Sequence, residues 1–558
     1  MILSKKPKYQ FALFIILFFI INLIQSYYTK LLEDEAYYWI WSKNLAFGYF
    51  DHPPLVALWI KISSLFFEGE LGVRFFSTIS FSLMLIIIWK IIDILKKQNF
   101  IWLYFLLVIS MALLNVYGFI TTPDTPLLLF VALFLYAYKL FLKNENSFNI
   151  LFLGFSMAAM LYSKYHGILV IFFIVLSNFS LLKNKKFWYA AIFGFVLFVP
   201  HLYWQYLNDF PSIRYHLFER GKASTYRIMD SVMHIVNQIV IVGLTFPIIY
   251  YAFFKQKIIS KFDKSLQYLV YGFILFFFIA SFSKIPQAQW TGVILIPLII
   301  LTFGYFVQYK KARKWLIILA SIQFGIILMA RLFLANENIS PIKLEPHIAQ
   351  TWIPTLKEKT ESKPIVFINS YRNASIYNFY TSIKTHSYNS LKGRKSQFDL
   401  LNTEQEIQNK NVVAIGSKIE GYPIYTKHKK TRYAIDINNY QTFQKVQCII
   451  PEKEMFLKPN EEKIIQFEFI NTYNKTITFE NAFFIGVFQG ENNLILEKIP
   501  LSIKVLRPLK GKEKAIFEAK FIVPELLFDE NTTFRIAIQF YDLFEGYQGN
   551  KVKVIKTN

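Results

Sequence analysis

Long apolar runs separated by short polar segments dominate the first 335 residues. Phe11–Leu23, Phe75–Trp89 and Val293–Phe306 contain no charged residue, and a helix needs about 20 mostly apolar residues to cross a bilayer. The pattern predicts eleven transmembrane helices near 10–29, 74–95, 100–119, 126–142, 148–162, 167–182, 187–203, 230–254, 266–282, 290–308 and 315–334. The first lacks a small-residue cleavage site after it and reads as a retained helix rather than a signal peptide. After about residue 335 the long runs stop. Charges of both signs intermix, and Pro, Asn and Gly punctuate short segments.

Within the polar region, 336–440 mixes a helical stretch at His347–Lys359 with β-rich segments such as Pro364–Ile368 and Val412–Ile415, which predicts a small α/β unit. From 441 to 558, alternating segments (Ile464–Phe469, Ala482–Phe488, Ala515–Phe521, Phe534–Tyr541) separated by turns predict an antiparallel β-sandwich. The expected fold class is therefore an all-α polytopic membrane domain over 1–335, followed by a soluble outer α/β plus β-sandwich region. Asn-x-Ser/Thr occurs at Asn338, Asn373, Asn474 and Asn531, which matters only if the cell glycosylates it.

Charge fixes the expected orientation. Lys and Arg fall in clusters between alternate runs: Lys5, Lys6 and Lys8; Lys96 and Lys97; Lys143; Lys183, Lys185 and Lys186; Lys255 to Lys264; Lys310 to Lys314. Placed in the cytoplasm, they orient all eleven helices consistently. The N-terminus is then cytoplasmic and the C-terminal region periplasmic or extracellular, in an inner (plasma) membrane protein. The net charge of +24 is not gathered into one face or stripe, so no nucleic-acid partner is expected. The one cysteine, Cys448, cannot form an intramolecular disulfide.

The same topology segregates the carboxylates. Glu33, Asp34, Glu35, Asp51, Glu68, Glu70, Asp124, Asp209, Glu219 and Asp230 fall at the outer face, against Asp93, Glu145 and Asp263 inside. Acidic residues have little influence on topology, so the asymmetry points to chemistry at the outer face. The first outer loop, about 30–73, is rich in Tyr, Trp and Phe and suits a segment lying in the interface. Three adjacent carboxylates at 33–35 repel one another, and with partial desolvation that makes a usable base; a solvated helix cap is the other reading. Lys164 and His166 lie between two short helices, where ionisable groups are functional candidates. The second long outer loop, 204–229, carries Arg214, His216, Arg220 and Lys222 against the rule that outer loops avoid Lys and Arg. Asp51 and His52 beside Glu35 leave a divalent metal open. Lys284, Gln287, Gln289 and Trp290 can line a sugar pocket or anchor the interface.

Asp34-Glu-Ala-Tyr-Tyr-Trp39 followed by Gly48-Tyr-Phe-Asp-His-Pro-Pro-Leu55 resembles the first outer loop of the protein O-mannosyltransferase and aminoarabinose lipid A transferase superfamily, membrane glycosyltransferases of the GT-C type. Thr122-Pro-Asp124-Thr-Pro-Leu127, Ser163-Lys-Tyr-His-Gly167 and Pro200-His-Leu-Tyr-Trp204 follow in the order of that superfamily. The resemblance covers about 10–310.

It implies a polyprenyl-phosphate sugar donor, probed most naturally as undecaprenyl phosphate, a lipid, glycan or protein acceptor at the outer face, and inversion at the anomeric carbon. Asp34 becomes the base and Glu35 its neighbour in catalysis. Lys164, Arg214, His216, Arg220 and Arg74 are the expected ligands of the donor phosphate, and Tyr37, Asp51, His52, Asp124 and His166 the expected substrate-binding positions. No cofactor is required beyond the open question of a metal, and membrane lipids are the remaining partners. Two readings compete: a lipid-linked sugar transporter or flippase, disfavoured because the acidic groups lie at one face rather than the midplane, and a non-catalytic envelope scaffold, which leaves the Asp34 motif unexplained.

Overall fold

The computed structural model describes residues 7–219, 226–283, 285–480, 482–525, 531–541 and 543–557, and the chain divides into two compact units, Met1–His347 and Ile348–Asn558. In the first, seven described helices are long and apolar enough to cross a membrane: Pro7–Tyr28, Gly69–Ile91, Asp124–Lys143, Lys185–Leu207, Lys261–Ala280, Ala288–Gln308 and Lys310–Ala335. Ile228–Val242 and Phe246–Lys255, bent by 95°, make an eighth when taken as one span. The other three predicted spans correspond to the shorter apolar helices Lys97–Ile109, Ser147–Ser163 and Gly167–Ser177. The polytopic helical fold is as expected, with fewer full-length helices.

One buried side chain accounts for two of the interruptions. Gly243 has a φ of +86° and stops the helix before it, while the helix Ile101–Ile109 ends at Ser110. Gln323, 3% exposed, donates to the Ser110 carbonyl at 2.7 Å and the Val242 carbonyl at 3.0 Å, and accepts from the Thr245 N–H. Backbone groups freed at membrane depth must find such partners, since lipid offers none. Elsewhere a Cβ on Gly154 would meet the Ala190 carbonyl at 2.3 Å and one on Gly194 the Gly154 carbonyl at 2.7 Å, so small residues let Ser147–Ser163 and Lys185–Leu207 approach backbone to backbone.

In the second unit, strands β1 (Ile365–Ile368), β2 (Thr385–Tyr388), β3 (Val412–Gly416), β4 (Tyr422–Lys427) and β5 (Lys430–Ile437) form a sheet of order β2-β1-β3-β5-β4, with β1 parallel to both β2 and β3. The helix Tyr371–Thr381 connects β1 to β2. Strands β6 (Gln447–Ile449), β7 (Glu454–Leu457), β8 (Glu462–Ile470), β9 (Ala482–Gln489), β10 (Ile495–Pro500), β11 (Ser502–Ile503), β12 (Lys514–Ile522), β13 (Thr533–Phe540) and β14 (Val552–Lys556) form two further sheets, β10-β9-β13-β14-β7 and β11-β12-β8-β6. Facing rows of Phe467, Phe469, Phe484, Phe517 and Phe534 fill the space between them, and the same buried cluster continues to Val366 and Tyr388 of the first sheet. Asn373 is buried there, so its Asn-x-Ser motif is inaccessible to a glycosylating enzyme, whereas Asn338 and Asn474 are exposed.

A buried polar network joins the small sheet to the sandwich. His386 contacts the Thr403 hydroxyl at 3.0 Å and Gln444 at 2.7 Å, and Glu404 accepts from the Tyr473 hydroxyl at 2.6 Å and the Gln444 N–H. Burial pushes the Glu404 carboxyl up to about 7 and the His386 imidazole down to about 4. Between the ordinary carboxyl value of 4.5 and about 7, the native chain holds a proton at Glu404 that the unfolded chain has lost, so this group makes stability fall as pH rises. His386 acts oppositely between about 4 and 6.5, where the unfolded chain binds the extra proton. The two slopes offset each other over most of that window. Glu404→Gln removes one of them: its stability relative to the unmodified chain should rise by about 3 kcal/mol from pH 4.5 to 7. Denaturant titration of the detergent-solubilised chain across that range measures it, and a constant difference refutes it.

Candidate active site

The loop after the first helix folds into two short helices, Glu33–Lys43 and Leu55–Ser63. At the start of the former, Leu32 is extended and its N–H donates to Glu35 Oε2 at 3.1 Å, one arm of a capping box. Asp34 and Glu35 are adjacent, so they point about 100° apart around the helix. Glu35 turns inward and is fully buried. It accepts from Arg74 Nε at 2.8 Å, from Arg74 Nη2, and from the Thr121 N–H at 2.9 Å. Arg74, equally buried, also donates to the carbonyls of Ser26, Thr29 and Lys30.

These contacts bear on two expectations. All five guanidinium N–H groups of Arg74 are directed at Glu35 and three carbonyls, which leaves none for a donor phosphate. The same fork and the Thr121 N–H tie Glu35, and with it the first turn of its helix, to the helix Gly69–Ile91 and the 120s loop. Among the described residues, no group of three or more His, Cys, Asp or Glu side chains is arranged to hold a metal.

Asp34 is half-buried and shares a helix face with Tyr38, four residues on. The Tyr38 ring lies 6.3 Å from that of His52 and within electrostatic reach of Tyr117, which hydrogen-bonds Asp124. Lys164 Nζ donates to both Asp124 oxygens, at 2.7 and 2.8 Å, with both side chains nearly buried. On the other side of Tyr38, the His52 ring sits 5.7 Å from His216, and His216 Nε2 is 2.6 Å from the Asp51 carbonyl. Tyr165 packs 5.8 Å from His216. Asp34, Asp51, His52, Asp124, Lys164 and His216 thus belong to one neighbourhood, assembled from four separate segments.

The remaining expected positions lie elsewhere. Tyr37 is buried edge-to-face against Trp41, at 5.0 Å. His166 packs between Phe277 and Trp290, at 5.3 and 5.7 Å, so Trp290 meets the cluster's border while Gln287 and Gln289 bond each other at an exposed position. Arg214 forms an exposed ion pair with Asp209, a contact of little energetic value. Arg220, Lys222 and Lys284 lie outside the described residues.

Several site residues escaped the sequence reading. His201 is fully buried; its Nδ1 lies 2.6 Å from the Phe47 carbonyl and its Nε2 3.0 Å from the Tyr165 hydroxyl. Gln205 bonds Tyr165 and Ser212, and Ser212 donates to the Tyr49 carbonyl. The signal was present as polar residues closing an otherwise apolar helix. Gly48 also gains a reason: a Cβ there would meet the Trp204 ring at 2.3 Å, so two separate motifs pack directly on each other.

Beside this cluster runs an apolar groove of about 590 Å³ between Phe47, Leu58, Trp59, Phe130, Ala158 and Tyr162. Its wall reaches the polar groups through Phe47, which holds His201, and through Tyr162, whose ring lies 6.2 Å from His201.

Residues 51–204 match the family described as dolichyl-phosphate-mannose-protein mannosyltransferase. No curated protein matches the sequence. Among solved structures, ArnT from Cupriavidus metallidurans in the apo state is similar, with a TM-score of 0.57 and 11% identity over 77% of this chain and 98% of that one. The structure of ArnT from the same organism bound to undecaprenyl phosphate gives 0.54 and 13%, over 76% and 97%. At these identities the likeness is one of fold, and it is the fold that the first-loop motif led us to expect.

Proposed function

We propose that this chain, a polytopic membrane protein with the fold of the GT-C protein O-mannosyltransferase and ArnT-like superfamily, transfers a sugar from a polyprenyl-phosphate carrier to a lipid, glycan or protein acceptor at the outer face of the plasma membrane. The observation carrying this reading is the apolar groove whose wall, through Phe47 and Tyr162, borders the His201, Tyr165 and His216 cluster. A ligand lying in the groove with its end at the polar border has a long hydrocarbon tail and a polar head. An isoprenoid phosphate has that shape, and the family match and the undecaprenyl-phosphate complex of ArnT are consistent with it.

In the step we infer, an acceptor hydroxyl attacks the anomeric carbon from the side opposite the phosphate and gives its proton to Asp34. The bond from that carbon to the phosphate oxygen breaks, and polyprenyl phosphate leaves as an anion near Lys164, His52 and His216. The configuration inverts. Asp124 holds the Lys164 ammonium in place, a positioning role. In this reading the N-terminus is cytoplasmic and the second unit is outside.

Liposomes carrying the purified chain, a panel of undecaprenyl-phosphate-linked sugars and an envelope extract supplying lipid, glycan and protein acceptors should release undecaprenyl phosphate as sugar passes to an acceptor hydroxyl. Ala158→Trp, which fills the groove, should slow release at least tenfold at limiting donor. Binding of undecaprenyl phosphate without turnover of any donor would refute transfer and favour a carrier or flippase.

A further inference from the structure

A second cavity, of about 550 Å³, lies in the β-rich unit, wholly within Ile348–Asn558. Its floor is the carboxyl edge of two parallel strands: Ile368, Asn369 and Ser370 at the end of β1, and Gly416, Ser417 and Lys418 at the end of β3. From β1 the chain crosses by the helix Tyr371–Thr381 to β2 on one side, then returns to β3 on the other. Connections therefore diverge between β1 and β3, and the crevice at such a point in an α/β sheet is where ligands bind. Asn493 to Ile495 and Phe544, from the sandwich, close its roof.

Charge says what kind of ligand fits. Lys392, Lys418 and Arg432 line the cavity, with no carboxylate among its described lining residues. Behind them, buried Lys427 donates to Asn373 Oδ1 and lies 5.6 Å over the Trp352 ring. Lys392 Nζ sits 4.1 Å over Phe544, beside Lys498 and Lys418; partial desolvation and then Lys498, opposed by Glu545 and aided by Lys418, hold its amine below the ordinary lysine value. The nearby Glu545 is bonded to Lys498. Converging ammonium groups on a concave surface repel one another unless an anion sits among them. The hydroxyls and amides of Ser370, Asn373, Ser417 and Asn493 add neutral hydrogen-bonding groups around the charges.

We propose that this cavity is a binding site for an oxyanion, phosphate or carboxylate, carried on a saccharide, separate from the membrane site and independent of the transfer reading. Two chemistries share that description, a sugar phosphate and a uronic acid, and titration separates them.

Calorimetric titration of the full-length chain in detergent with glucose 1-phosphate, glucuronate, inorganic phosphate and glucose tests the idea. At least one of the two charged sugars should bind saturably and glucose should not; the tighter of the two identifies the anion. Affinity should fall as salt rises. Lys392→Gln with Lys418→Gln, both at exposed positions, should weaken binding at least tenfold with the thermal midpoint unchanged, whereas Lys164→Gln in the membrane site should leave it unaltered. The proposal is overturned if neither charged sugar binds, if glucose binds equally, or if the double variant binds as tightly as the unmodified chain.

Discussion

Asp34→Asn is expected to reduce sugar transfer by about 10²–10⁴-fold, the range for losing a general base, while the protein still folds, inserts and binds undecaprenyl phosphate. The substitution keeps shape and polarity and removes only the charge that, in the proposed step, takes the acceptor's proton. Geometry distinguishes Asp34 from its neighbours. Glu35 is turned into the protein and neutralised by Arg74, and the Glu33 backbone N–H is fixed by the Glu345 carboxylate at 3.0 Å. Asp34, half-buried where Glu35 is fully buried, lies one turn before Tyr38, which leads to His52 and Asp124. The basis for its reactivity therefore differs from the repulsion among three carboxylates that the sequence suggests, because one of the three is already paired. Mass analysis of lipid carriers and surface glycans in cells expressing either form reads the result. Unchanged glycans in the Asn form would remove Asp34 from the chemistry.

How much of this was legible in the sequence follows from how local each cause is. A helix in lipid must satisfy its own backbone, so runs such as Gly69–Ile91 and Asp124–Lys143 announce themselves, as do the strands around Phe467 and Phe534 by their alternation. The breaks at Ser110 and Gly243 were hidden because Gln323, which compensates both, is far along the chain. Burial also pairs residues that lie far apart in the chain. Arg74 reads as a free outer cation and Glu35 as a catalytic neighbour, yet their partnership spans 39 positions and no local pattern records it. The motif containing Asp124 and Lys164 was found in two pieces, and only folding makes it one ion pair. His201 carried a signal, a titratable residue ending an apolar helix, that acquires meaning once Phe47 and Tyr165 are seen against it.

Breaking the Glu35–Arg74 pair should have the largest effect on stability in the membrane unit. Arg74→Gln leaves the Glu35 carboxylate buried at 0% exposure without its cation, and removing one partner of a buried pair costs about 3–5 kcal/mol. It also leaves the Ser26, Thr29 and Lys30 carbonyls short of donors at the point where the first helix ends. Arg74→Lys should recover little of this, since one ammonium with three donors cannot serve two carboxylate oxygens and three carbonyls in one plane. Replacing both residues, Glu35→Gln with Arg74→Gln, should be less damaging than Arg74→Gln alone, because no uncompensated charge remains. Thermal and denaturant unfolding in detergent, run as a double-mutant cycle, gives the coupling directly. Transfer falls in all these variants, so stability is what separates the roles. A phosphate-binding Arg74 would raise KM for the donor while leaving the unfolding midpoint of Arg74→Gln where it is in the unmodified chain, and that outcome would return Arg74 to the donor site.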